Sequence, residues 1–242
     1  NAATTGTPQP ELANWPMGDI AATLERARLP SFGLDGLERV RPRKPLEIPE
    51  GAQYLSRSYA CAAGRRSYKL YVPSRHHAGG RRPLIVMLHG CKQDAASFAA
   101  GTRFNLFADR GRFLVAYPEQ RRLANPYRCW NWFDPSSNQA SGEVASIASM
   151  VRAIANEHNV DPSRIYVAGM SAGGALASAL ASCHPELFAA SAVHSGLMFQ
   201  AANSPAAALS VMRHGSDRDP EKASAASGRH GRHGCCGGGG WR

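Results

Sequence analysis

The chain has no apolar run approaching the roughly 20 residues needed to cross a bilayer, and its longest, within "PLIVMLHG", has the length of a buried strand. A helical membrane span is excluded. No C-x-x-C pair is followed by a second at zinc-knuckle spacing, so a structural metal site is not expected, and no metal or organic cofactor is implied. Acidic residues are scarce: 18 Asp and Glu stand against 28 Lys and Arg, a formal charge of +10. The excess is mostly arginine, scattered through "RPRKP", "GRR", "EQRR" and "GRHGRHG". None of these is a basic arm, and no helix shows a basic stripe interleaved with aromatics, so nucleic-acid binding is not expected. An arginine-rich surface is.

What is present is a chain of 242 residues with 43% hydrophobic content, enough for one large α/β domain or two small ones. The six cysteines are Cys61, Cys91, Cys129, Cys183, Cys235 and Cys236. Four of them are well separated, which suits disulfides in an oxidising compartment, although buried free thiols fit a chain of this size equally. The first residue is Asn1, which implies a processed or missing start, and no signal peptide is visible.

Residues 1–50 are rich in proline and read as an N-terminal extension with one short helix over "MGDIAATLERARL". From Gly51 to Pro220 the character is that of a folded core. "RRSYKLYVP" alternates like a half-buried strand, and "HHAGGRR" reads as a hairpin-type turn after it. "PLIVMLHG" and "GRFLVAYPEQ" are continuous apolar strands, as in a parallel sheet covered on both faces. Val144, Ile147, Val151 and Ile154 recur at helical spacing, with Ser141 and Glu143 as start signals. "DPSRIYVAG" predicts a turn and a third strand, "SAGGALASALASC" a helix, and "LFAASAVHSG" a fourth strand. Strands alternating with helices predict a mostly parallel, doubly wound α/β sheet. Residues 221–242 have no periodicity and read as a low-complexity Gly/Arg/His tail.

Within this frame Gly169-x-Ser171-x-Gly173 stands where a strand meets a helix. A chain that reverses that sharply strains its central residue and needs small neighbours two positions away on each side, which is the arrangement of a nucleophile elbow. Acyl transfer also needs two backbone donors for the oxyanion. Ala172, next to the serine, is expected to supply one, and Cys91 of "LHGCKQD", at the same sheet edge, the other.

"HGCKQDAASFAAGTRFNLFAD", "CWNWF" and "RIYVAGMSAGGALA…CHPELFAASAVHSG" together resemble the esterase family that includes polyhydroxybutyrate depolymerases and related feruloyl and acetylxylan esterases. The resemblance runs from roughly Tyr54 to Asp219. It implies an α/β-hydrolase fold, Ser171 as nucleophile, and an oxyanion hole from the backbone of Cys91 and Ala172. The family's acid and histidine lie downstream of the serine, the acid in an H-G-x-x-D context. Here "VMRHGSDRDP" offers His214, Asp217 and Asp219 without that offset, and His230 and His233 sit in the glycine-rich tail. His89 of "LHG" and His194 of "VHSG" are expected to close turns rather than act as base. The triad acid and histidine are therefore expected to be absent, and the core to be truncated at its C-terminus.

The expected activity is that of a serine carboxylesterase cleaving a polyester or small ester through an acyl-enzyme on Ser171. An inactive remnant or binding module, and a feruloyl or acetylxylan esterase, are the alternatives. Cys91 and Cys129 each follow a predicted parallel strand, which puts both at one sheet edge and makes them the expected disulfide, in an exported protein. A cytoplasmic protein is the alternative. Trp130, Trp132 and Phe133 of "RCWNWFDP" stand in a loop at the same edge and are expected to line a substrate cleft.

Overall fold

The computed structural model describes residues 48–74, 80–139, 141–216 and 219. The expected N-terminal helix, the tail, Asp217, His230 and His233 lie outside the described residues. The elements are β1 (Gln53–Cys61), β2 (Gly64–Val72), β3 (Arg82–Leu88), α1 (Ala95–Thr102), α2 (Phe104–Gly111), β4 (Leu114–Pro118), α3 (Glu143–Glu157), β5 (Val160–Met170), α4 (Ala172–Cys183), β6 (Ala190–His194) and α5 (Pro205–His214). A short 3₁₀ turn spans Pro135–Asn138.

The six strands form one sheet in the order β1-β2-β4-β3-β5-β6. β4, β3, β5 and β6 run parallel, while the β1–β2 pair adds an antiparallel edge. Side chains alternate across the sheet with period two, and two apolar clusters follow from that. Leu70, Leu84, Val86, Leu88, Leu114 and Ala116 face one cluster, where α3 and α4 pack through residues such as Ile147, Val151 and Leu176. Tyr71, Met87, Val115 and Tyr117 face the other, with Phe98 of α1 and Ala108 of α2. The expected doubly wound α/β sheet is this structure. The stripe Val144, Ile147, Val151 and Ile154 is the buried face of α3, as its spacing predicts.

Two expectations about connections are corrected. β2 and β3 are not a hairpin, because β4 lies between them. The hairpin is β1–β2, whose last pair joins Cys61 to Gly64, with the glycine at φ 101°. "DPSR" is also part of strand β5 rather than a turn before it. The Asp161 carboxylate there accepts the Ser163 N–H at 3.0 Å and its hydroxyl at 2.7 Å, the local bond of an Asx turn, so the turn signal is present at the start of the strand.

Candidate active site

β5 ends at Met170 and α4 begins at Ala172, so Ser171 is the whole of the turn between them. Its backbone sits at φ 56°, ψ −120°, where an L-residue is strained, and its side chain is exposed. The Ser171 N–H donates to the His194 carbonyl at 2.9 Å, and the Ala175 N–H donates to the Ser171 carbonyl at 3.0 Å, so backbone bonds from β6 and α4 hold the strain. The flanking glycines are obligatory: a Cβ on Gly169 would lie 2.2 Å from the Gly173 carbonyl oxygen, and one on Gly173 would lie 2.3 Å from that of Leu88.

Across from the serine, β3 runs out into His89, Gly90 and Cys91. Ala172 opens α4, so its N–H has no acceptor inside the helix. Among the described residues the Cys91 N–H donates to no carbonyl of the turns and loops. The loop that carries it is held on three sides. Cys91 is disulfide-bonded to Cys129, with Cα atoms 4.2 Å apart. The Lys92 N–H donates to the Tyr127 carbonyl at 2.7 Å. Arg128 lies 3.4 Å from the carboxylates of both Asp94 and Glu119. Replacing both cysteines by serine should lower stability by about 2–4 kcal/mol, since the bridge closes a loop of 38 residues. Thermal unfolding without reductant measures this as a Tm about 5–15 °C lower. Faster amide exchange at Lys92 should accompany it.

His89 is fully buried, and both its ring nitrogens are engaged. The Gln120 N–H donates to Nε2 at 3.1 Å, so Nδ1 carries the proton and donates to the Gly90 carbonyl at 2.8 Å. Burial pushes its pKa below the ordinary imidazole value, in keeping with a neutral ring that ties β3 to the end of β4. It is not available as a base. The His194 ring is 3.2 Å from the Ser195 hydroxyl, and His214 is exposed at the end of α5. Among the described residues no histidine hydrogen-bonds Ser171 Oγ, and no group of three or more His, Cys, Asp or Glu could hold a metal ion.

The aromatic loop departs from expectation. Trp130 is fully buried, its indole N–H donating to the His89 carbonyl at 2.9 Å and its ring lying between His89 and the Arg66 guanidinium. Trp132 is also buried and meets Phe133 edge to face, while only Phe133 is half-exposed. Trp130 and Trp132 are thus corrected from cleft lining to bracing, because the loop folds back onto the core and the buried indole N–H finds a carbonyl there. Trp130→Phe keeps most of the packing and deletes that bond, so urea unfolding should show a loss of about 1–3 kcal/mol.

Several bracing residues escape sequence reasoning. Glu143 reads as a helix start signal, yet its carboxylate reaches back to accept from Gln120 Nε2, from the Asn131 N–H at 2.9 Å and from Asn131 Nδ2 at 3.1 Å. Gln120 in turn donates to the Cys129 carbonyl at 3.1 Å. Acidic residues at a helix start are too common for this to be read from sequence.

A sequence profile described as "Esterase PHB depolymerase" matches residues 66–229. The chain belongs to this esterase family. Poly(3-hydroxyalkanoate) depolymerase C of Paucimonas lemoignei is 37% identical over 151 residues, which are 62% of this chain and 36% of that protein. Feruloyl esterase B of Neurospora crassa is 37% identical over 129 residues, 52% of this chain and 42% of that one. The chain thus spans about two fifths of the length of these relatives. Among solved structures, an acetyl xylan esterase from Aspergillus awamori superposes with TM-score 0.56 at 23% identity, over 64% of this chain and 55% of that chain. At that identity the superposition shows the shared α/β-hydrolase fold alone. Among the described residues of this family member, no helix is long and apolar enough to cross a membrane.

Proposed function

We propose that the chain is a serine carboxylesterase acting on a poly(3-hydroxybutyrate)-like polyester or a related ester through an acyl-enzyme on Ser171. The observation that carries this reading is the exposed, strained serine between obligatory glycines at the start of α4, where the Ala172 N–H has no acceptor inside the helix. Ser171 Oγ attacks the ester carbonyl, and its proton passes to a base and then to the departing alcohol. The carbonyl oxygen, negative in the tetrahedral intermediate, accepts from the Cys91 and Ala172 N–H groups. Water then adds to the acyl-enzyme and releases the acid. The disulfide supports an exported protein, since such bonds persist in oxidising compartments.

A second reading, a folded but inactive or binding module, is supported by one observation: no histidine reaches Ser171 Oγ among the described residues. Turnover of p-nitrophenyl butyrate separates the two, and a folded chain that leaves it intact belongs to the second. Clearing of a poly(3-hydroxybutyrate) suspension, compared with release of ferulate from methyl ferulate and of acetate from acetylated xylan, assigns the substrate. A preference for either of the last two overturns the polyester assignment.

A further inference from the structure

The peptide between Gly90 and Cys91 is held by its oxygen. The His89 Nδ1–H donates to the Gly90 carbonyl at 2.8 Å, and the Gln93 N–H reaches the same oxygen at 3.3 Å. On the preceding peptide, the Gly90 N–H donates to Gln93 Oε1 at 2.8 Å. The imidazole behind this grip is itself fixed. It is fully buried, and its Nε2 accepts from the Gln120 N–H at 3.1 Å, which leaves the proton on Nδ1. Gln120 is anchored in turn, its Nε2 donating to the Cys129 carbonyl and its Oε1 accepting from the Arg121 N–H, both at 3.1 Å. The Trp130 ring lies against the imidazole, with centroids 5.2 Å apart. Tying β3 to the end of β4 takes only the bond to Gln120. The bond to the Gly90 carbonyl joins chain neighbours, so it links no two elements of the fold.

Amide geometry gives that second bond a use. The Gly90–Cys91 peptide is trans, and a trans peptide is planar, so its C=O and N–H point in opposite directions. A donor that fixes the Gly90 oxygen on one side therefore fixes the direction of the Cys91 N–H on the other. The disulfide to Cys129 holds the Cys91 side chain, and the Lys92 N–H bond to Tyr127 holds the peptide after it. Both leave the preceding peptide able to rotate. Glycine at position 90 makes that rotation easier, and the space around it is close: a Cβ there would stand 3.2 Å from Gln93 Oε1 and 3.3 Å from Met170 Cε. A flipped peptide would turn the Cys91 N–H away and present the Gly90 carbonyl in its place, which repels an oxyanion instead of receiving it.

We propose that His89 is the positioning residue of the oxyanion hole: its Nδ1–H pins the Gly90 carbonyl and so aims the Cys91 N–H at the carbonyl oxygen of an ester attacked by Ser171. The catalytic meaning rests on the esterase reading; the setting of the peptide does not. Two substitutions in the full chain separate the two bonds of the ring. In His89→Asn the side-chain amide stands where Nδ1 stood and keeps a donor for the Gly90 carbonyl, while the Gln120 N–H loses its acceptor. In His89→Gln the amide reaches the place of Nε2, so the Gln120 N–H keeps an acceptor and the Gly90 carbonyl loses its donor. Each variant leaves one buried bond unmade, so similar melting temperatures are expected. With p-nitrophenyl butyrate, His89→Gln should lower kcat about 10–100-fold at unchanged KM, part of the roughly 100–1000-fold that deleting an oxyanion donor costs. His89→Asn, the conservative replacement, should recover most of that loss. A second measurement needs no turnover: NMR cross-relaxation between the Gly90 Hα protons and the Cys91 amide proton depends on the ψ of Gly90. It should change in His89→Gln and match wild type in His89→Asn. The wild-type chain gives a third reading that stands even where neither variant folds, since its His89 must be the Nδ1–H tautomer with that proton protected from exchange. Equal losses of kcat in the two variants, a loss that appears in KM, unchanged cross-relaxation in His89→Gln, or an Nε2–H tautomer in wild type would each overturn the proposal. The expected cross-relaxation in a chain that hydrolyses no ester would leave the setting of the peptide standing and sink the esterase reading alone.

Discussion

Ser171→Ala is expected to lower kcat/KM for p-nitrophenyl butyrate by about 10⁴–10⁶-fold, because removal of a nucleophilic serine forfeits the covalent route and leaves only binding and the oxyanion donors. The fold should be unaffected, since alanine meets the same strain at φ 56° as serine does. Ser171→Gly sharpens the test. Glycine occupies positive φ without a Cβ penalty, so this variant should be inactive yet more stable by about 1 kcal/mol. Loss of activity together with a gain in stability is the signature of strain kept for function. A Ser171→Ala chain with more than a tenth of the wild-type rate would place the chemistry elsewhere, and a Ser171→Gly chain no more stable than wild type would show that the turn stores no strain.

The parts of this site that were legible in sequence are those whose chemistry is local. The strand-serine-helix turn needs its glycines within two residues, and the apolar runs of β3 and β4 need no partner to be recognised. Elements stabilised by short-range caps were harder. α1 is eight residues long, nearly all small and apolar, so it has no amphipathic stripe; it is started by the reciprocal Asp94–Ser97 capping box and ended by Arg103 at φ 51°. An arginine in the left-handed region gives no stop signal of the kind a glycine would. Pairing was less legible still. The alternation in β2 is the same whether its neighbour is β3 or β4, and only the closed sheet decides. The aromatic loop illustrates the same limit, since the indole N–H of Trp130 could be committed to the interior only by the His89 carbonyl, 41 positions earlier.

Gly173→Ala is expected to lose more than about 4 kcal/mol of stability, or to prevent folding, even though alanine is the better helix former by about 1 kcal/mol at an unconstrained position. The added Cβ would sit 2.3 Å from the Leu88 carbonyl oxygen and 2.5 Å from that of His89, and both are backbone atoms that no rotamer change can clear. Either α4 or the end of β3 must move. Movement of β3 would carry away His89, its bond to Trp130 and the Cys91 N–H, so the proposed oxyanion donor would be displaced with the packing. Gly101, in the last turn of α1, supplies the contrast, because a Cβ there meets nothing within 4 Å. Gly101→Ala should therefore be neutral or stabilising by up to about 1 kcal/mol. Urea unfolding of the two variants side by side reads the difference. Wild-type stability for Gly173→Ala would mean that α4 and β3 are not in the close contact on which the geometry of Ser171 and Cys91 depends.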